Sequence, residues 1–150
     1  MTPYLDTGVW LKIYVAEARA ERVVAYLETF TESIPLNNFQ ELEGRNALFA
    51  KRFRGELDDA SLSLVLHELS NDFEGGRWYR VPVDWLKIMS LANTLAEQNT
   101  HAVGCRTLDV LHVAMAVSQS AASFVTFDNR QAKLAIRVGL RVLRLDTNTG

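Results

Sequence analysis

Apolar residues along the chain fall into short continuous runs that alternate with stretches in which they recur every three or four positions. That is the pattern of strands interleaved with helices. "TPYL" reads as a short buried strand ending at Asp6, followed by a helix from Val9 to Val15. "AEARAERVVAYLETF" continues helical, with Val23, Val24 and Leu27 on one face and charges opposite. "SIPL" is a second short strand, after which Asn37 or Asn38 caps a helix running to about Arg54, where Gly55 stops it. "DDASLSLVLHELSNDF" is helical behind an aspartate cap and ends at Gly75-Gly76. "WYRVPV" is a strand kept from the sheet centre by Pro82, which cannot donate to a ladder. Asp84 to about Gln98 is helical, "THAVGC" is a loop, and "RTLDVLHVAMA" is a buried helix capped by Thr107. "SFVTF" is a strand ending at Asp128, "RQAKLAIRV" a helix stopped by Gly139, and "RVLRL" a last strand. Strands alternating with helices imply an α/β fold on a parallel sheet covered on both faces.

Composition narrows the class. A chain of 150 residues suits a single domain, 1–150, and its 48% hydrophobic and 23% charged residues are those of an ordinary globular protein. The formal charge of -2 means that a nucleic-acid partner has to be held by a local basic patch or by bound cations. Cys105 is the only cysteine, so neither an internal disulfide nor a thiolate-rich metal site is available, and it reads as a small core residue. The amino terminus has no signal-peptide pattern, and no stretch approaches the roughly 20 apolar residues of a membrane span. A cytoplasmic location and no membrane partner are the expectation.

Four acids stand out against this background. Asp109 lies in a helix whose neighbours are almost all apolar or small, and an ionised carboxylate without a partner there costs several kcal/mol. Asp6 and Asp128 each follow a strand directly, in "YLDT" and "VTFD", which places both at the sheet edge where open parallel sheets bind ligands. Either one alone also reads as a helix cap or turn residue. The helix after "SIPL" offers a fourth acid. Glu41 stands four residues before Arg45, the favourable order for a surface ion pair. Glu43 instead shares a stripe with Phe39, Ala47 and Ala50, so it faces the protein, as a cap for a neighbouring element or as a member of the acidic group. With no lysine or arginine at the spacing needed to neutralise Asp6, Glu43, Asp109 and Asp128 together, crowding predicts mutual repulsion, which a divalent cation relieves. All-oxygen ligands suit Mg²⁺ or Mn²⁺ rather than zinc, and such ions support phosphodiester hydrolysis.

The blocks "YLDTGVWLKIY", "ELEGRNALFAK", "RTLDVLHVAMA" and "VTFDNRQAKLAIRVGLRVLRL" together resemble the four acidic blocks of the PIN domain, and the short length resembles a VapC-type toxin of a toxin-antitoxin pair. The resemblance implies a three-layer α/β/α sandwich on a central parallel sheet of about five strands. It also implies a Mg²⁺-dependent endoribonuclease (Mn²⁺ as substitute) acting on RNA, a cognate antitoxin that inserts near the site, and a homodimer. The metal-binding acids carry over to Asp6, Asp109 and Asp128, and Glu43 completes the catalytic quartet, because Ala47 and Leu48 stand four and five places on as in the family. Gly8 departs from the pattern, removing a hydroxyl that Thr7 can replace.

Other residues have plainer readings. His112, one turn beyond Asp109, is a core histidine satisfied by a main-chain group, or a proton carrier; His67 and His101 are surface or loop residues. Arg106 orders its loop or holds a phosphate. Lys51, Arg52 and Arg54 favour the dipole of the helix they end, or contact RNA. Trp10, Tyr14, Trp78 and Trp85 are core or interface aromatics. Two rival functions remain: a phosphatase using Asp6 as nucleophile, which lacks its second acid because position 8 is glycine, and a non-catalytic RNA- or protein-binding module.

Overall fold

The strand-forming runs yield strands only two to four residues long, and the helices between them carry most of the chain. In the computed structural model, which describes residues 1–146, the order is β1 (Tyr4–Leu5), α1 (Thr7–Leu11), α2 (Ala20–Leu27), β2 (Ile34–Asn37), α3 (Asn38–Phe53), α4 (Asp59–Glu74), β3 (Trp78–Val81), α5 (Trp85–Val103), α6 (Thr107–Ser118), β4 (Phe124–Val125), α7 (Asn129–Arg137) and β5 (Val142–Leu143). The last four positions of the expected 1–150 domain lie outside the described residues. The fold class is α/β, as expected, and every strand pairing among the described residues is parallel. The strands do not hydrogen-bond into one five-stranded sheet: they form a set of three, ordered β1-β4-β5, and a set of two, β2-β3. Strands this short carry few ladder bonds, and β2 contains Pro35, which has no N–H to give to a further neighbour.

The chain divides into two compact units, Met1–Asp6 with the segment from Pro82 onward, and Thr7–Val81. In the first, Tyr4 pairs with Phe124 and Leu5 with Val125, and the rings of Tyr4 and Phe124 stack at 5.5 Å. Helix α6 has eight consecutive buried residues, Asp109 to Ala116, and so is apolar nearly all round, as a central helix must be. The amphipathic α7 crosses from β4 to β5 and buries Ala132, Leu134 and Ala135. Helix α5 continues to Val103, through most of the segment expected to be a loop, because its stop is Gly104 in the left-handed conformation (φ 71°). Thr107 is the first residue of α6 rather than its cap; the capping position belongs to Arg106.

In the second unit, Asn37 caps α3 in a reciprocal pair with Gln40, and Asp58 caps α4. Gly44 on α3 has no room for a side chain: a Cβ there would lie 2.3 Å from the Trp10 ring. Trp10 packs edge-on against Trp78, which is also fully buried. Tyr14 donates a hydrogen bond to Asp72 at 2.5 Å and accepts one from the Trp78 indole at 2.6 Å. Trp10, Tyr14 and Trp78 are thus core residues. The helix expected from Val9 to Val15 ends at Leu11, and α2 begins only at Ala20, because Arg19 takes a left-handed conformation (φ 70°) that no helix continues through.

Candidate active site

Asp6 follows β1 and continues its ladder by donating its main-chain N–H to Val125 at 3.0 Å. Asp128 follows β4 at the same edge, because β1 and β4 are parallel and in register over Leu5 and Val125. One oxygen of Asp128 caps α7, accepting from the main-chain N–H groups of Arg130 and Gln131 at 2.8 and 3.1 Å. The plain reading of this aspartate as a helix cap is therefore correct for Oδ1. Its Oδ2 accepts instead from the Arg106 guanidinium at 3.1 Å.

Asp109 is 1% exposed and sits in the first turn of α6, where the helix dipole favours a negative charge. It accepts from the main-chain N–H of Arg106 at 2.9 Å and from that residue's side chain at both oxygens, 3.1 and 3.3 Å. Burial works against its ionisation, but the side-chain and main-chain hydrogen bonds from Arg106 outweigh burial and hold its carboxyl below the usual carboxylate range. The expectation was that no lysine or arginine neutralises all four acids together; Arg106 offsets two of them, bridging Asp109 and Asp128. It does so by a capping geometry on one side and a contact 22 residues distant on the other, and only the first has a sequence spacing.

Gln131 completes the network. Its amide nitrogen donates to Asp6 at 3.1 Å, its amide oxygen accepts from the buried Thr126 hydroxyl at 2.8 Å, and it favours the ionised form of Asp109. Thr126 in turn accepts from the main-chain N–H of Asp128 at 3.0 Å. Sequence reasoning missed Gln131; its signal was the position three residues after a capping aspartate, where a long polar side chain reaches back toward the helix start. His112 is a core histidine, as read: Nδ1 lies 2.9 Å from the Tyr4 hydroxyl, and Nε2 lies 3.9 Å from Asp6.

Glu43 belongs to the Thr7–Val81 unit, is half-buried, and accepts a hydrogen bond from the buried Thr7 hydroxyl at 2.8 Å. Thr7 is the next residue in the chain after Asp6, and it supplies the hydroxyl that Gly8 lacks. Glu41 is the ion-paired residue expected, bound by Arg45 and also by Arg80, and hydrogen bonds from Arg80 and then Arg45 hold its carboxyl below the usual range. The basic cluster at the end of α3 is already paired: Lys51 with Glu17 and Glu56, Arg52 with Asp59, and Arg54 with Glu56. Cys105 is half-buried, and burial pushes its thiol up, away from nucleophilic character.

Asp6, Asp109 and Asp128 are thus gathered in one hydrogen-bonded network of a single unit. Their chemistry, all carboxylate oxygen, suits a hard cation such as Mg²⁺. Their present arrangement does not: among the described residues no three histidine, cysteine, aspartate or glutamate side chains converge as a metal would require, and Arg106 takes the oxygens of two of them. Among the described residues no helix is long and apolar enough to cross a membrane.

No family model matches the sequence, and no curated protein matches it. Among solved structures, FitAcB from Neisseria gonorrhoeae is similar in fold, with a TM-score of 0.66 at 21% sequence identity, over 94% of this chain and 96% of that one.

Proposed function

We propose that this chain is a PIN-type, metal-dependent endoribonuclease and the toxin of a toxin-antitoxin pair. The observation that carries the reading is the gathering of Asp6, Asp109 and Asp128 in one hydrogen-bonded network, in which Asp109 and Asp128 share the Arg106 guanidinium. The four acidic sequence blocks and the fold likeness to FitAcB along nearly the whole of both chains support the same relation. In this reading Asp6, Asp109 and Asp128 are the residues that would hold Mg²⁺ or Mn²⁺, which would supply Lewis-acid polarisation of an RNA phosphodiester. Gln131 orients Asp6, and the Thr126 hydroxyl fixes Gln131 in turn. Thr7 fixes the Glu43 carboxylate, the fourth acid of the proposed quartet. A cognate antitoxin, an RNA substrate and a homodimer belong to the same proposal.

The test is cleavage of end-labelled total RNA by purified protein freed of antitoxin, in Mg²⁺ or Mn²⁺, in chelator, and with Asp109→Asn. Metal-dependent cuts that leave 5′-phosphate ends and vanish in Asp109→Asn support the reading, whereas 2′,3′-cyclic phosphate ends exclude hydrolysis of this kind. The second reading is a non-catalytic RNA- or protein-binding module, favoured by the engagement of both Asp109 and Asp128 with Arg106. Under it, the folded protein binds RNA or a partner protein with no metal-dependent turnover.

A further inference from the structure

Positive charge is not spread evenly along this chain. Residues 129–145 hold Arg130, Lys133, Arg137, Arg141 and Arg144 and no aspartate or glutamate, in a protein whose formal charge is -2. Helix α7 buries Gln131, Ala132, Leu134 and Ala135, so Arg130, Lys133 and Arg137 share its outer face, exposed, over about 10 Å of the helix axis. Because α7 runs back from Asp128 at the end of β4 to the start of β5, the row begins beside the acidic edge. Arg141 stands at its far end, where its carbonyl accepts from the Phe124 N–H. Two details separate these cations from ones that support the fold. Arg130 lies in the first turn of α7, where the helix dipole disfavours a cation. Among the described residues Arg130, Lys133 and Arg141 form no ion pair, whereas Lys51, Arg52 and Arg54 at the end of α3 are all paired with acids. Arg137 is held, but by a neutral group: its Nε donates to Asn99 Oδ1 at 3.1 Å, and the buried Asn99 donates in turn to the Leu95 carbonyl at 2.8 Å. Its direction is fixed while its charge stays available.

We propose that the outer face of α7, with Arg130, Lys133 and Arg137 and with Arg141 at its far end, binds the phosphate backbone of an RNA strand beside the acidic edge. The inference rests on the reading that RNA is the partner; it needs neither catalysis nor a bound metal. A chain of net negative charge holds a polyanion only through such a local row of cations. Contacts of this kind position a strand without reading its bases, because the charge they meet is in the backbone. A membrane surface fits the row less well, since the apolar face that an interfacial helix inserts is already buried in the core.

The experiment is fluorescence anisotropy of the full chain with a fluorescein-labelled oligouridylate, in chelator, over a series of salt concentrations. Wild type is compared with Arg130→Gln/Lys133→Gln/Arg141→Gln and with Lys51→Gln/Arg52→Gln/Arg54→Gln, which removes the same charge from α3; thermal melts verify that each is folded. Each lost phosphate contact takes about 0.7 from the slope of log affinity against log salt, and about fivefold from affinity at about 0.1 M salt. The α7 variant is therefore expected to bind about a hundredfold more weakly, with a slope shallower by about 2, and the α3 variant to stay within about threefold of wild type. Equal weakening by both variants, or an unchanged slope in the α7 variant, overturns the assignment. A wild-type affinity that does not fall with salt overturns it without any variant. So does tighter wild-type binding to polyglutamate or to phosphatidylserine vesicles than to the oligouridylate, which points to an acidic protein or a membrane surface instead. RNA cleavage in Mg²⁺ by a protein whose α7 variant binds normally sinks the α7 row alone and leaves the proposed function standing. A folded wild type that neither binds nor cleaves RNA sinks both.

Discussion

Two acidic places in this molecule invert each other's stoichiometry. On α3, one carboxylate, Glu41, is bound by two arginines, Arg45 and Arg80. At the start of α6 and α7, two carboxylates, Asp109 and Asp128, share one arginine, and Asp6 adds its own attraction to that same guanidinium. The first place has cationic charge in excess and nothing further to attract. The second has one guanidinium divided between two carboxylates, in an arrangement fixed by helix starts. A count of acids along the sequence does not distinguish the two; the ratio of acids to their partners does.

The comparison is broken most forcefully at Asp109. Under the proposed function, Asp109→Asn is expected to lower metal-dependent RNA cleavage at least about a hundredfold, with the circular-dichroism spectrum unchanged. Glu41→Gln is expected to leave cleavage within about twofold, and a comparable loss there erases the distinction. Gly44→Ala, beside Glu43, has its effect on folding: the Cβ meets the Trp10 ring, and about 1–3 kcal/mol of stability is expected to be lost in urea denaturation. Tyr14→Phe leaves the Asp72 carboxylate and the Trp78 indole without their shared hydroxyl, at a cost of about 1–3 kcal/mol. Burial, followed by the Asp72 hydrogen bond, pushes the Tyr14 phenol above its ordinary value of 10.0, so the folded protein resists its ionisation. Wild-type stability therefore falls as pH rises above about 10, where only the unfolded chain ionises this group, and Tyr14→Phe removes that part of the alkaline fall.

The smallest effect expected is the stability change at Glu41. Its folded pKa lies below the unfolded value, so its contribution is present above about pH 4.5 and disappears as pH falls through the folded value. Glu41→Gln is expected to cost under about 1 kcal/mol at neutral pH, as a partly exposed ion pair does, and less at an acid pH well below 4.5. Thermal melts of both proteins at the two pH values measure it.

Much of this was legible in the sequence, because the relevant signals are local. The buried carboxylate of Asp109 announces itself by its neighbours, Glu41 by the arginine four places on, and the helix ends by Asn37, Asp58, Gly55 and Gly139. Strand positions were legible as apolar runs, but strand pairing was not, because a strand of two residues has no alternation from which to read a register. The interruption between α1 and α2 was hidden for a related reason: Arg19 adopts a left-handed conformation without being glycine or asparagine, so no residue type marks it. Arg106 and Gln131 were read too plainly or missed because their partners come from other elements. Nothing in the spacing of Arg106 and Asp128, or of Asp6 and Gln131, distinguishes a contact from a coincidence.

Asp128 divides its two oxygens between two tasks, and this has a bearing on how such a chain changes over generations. Asparagine caps a helix about as well as aspartate does. Asp128→Asn therefore keeps α7 anchored and the β4 edge in place while it deletes one of the charges that Arg106 faces. That exchange needs a single base change in the codon. The scaffold can thus shed a charge of its acidic edge without losing its shape, so the fold of this edge and its charge are free to change independently.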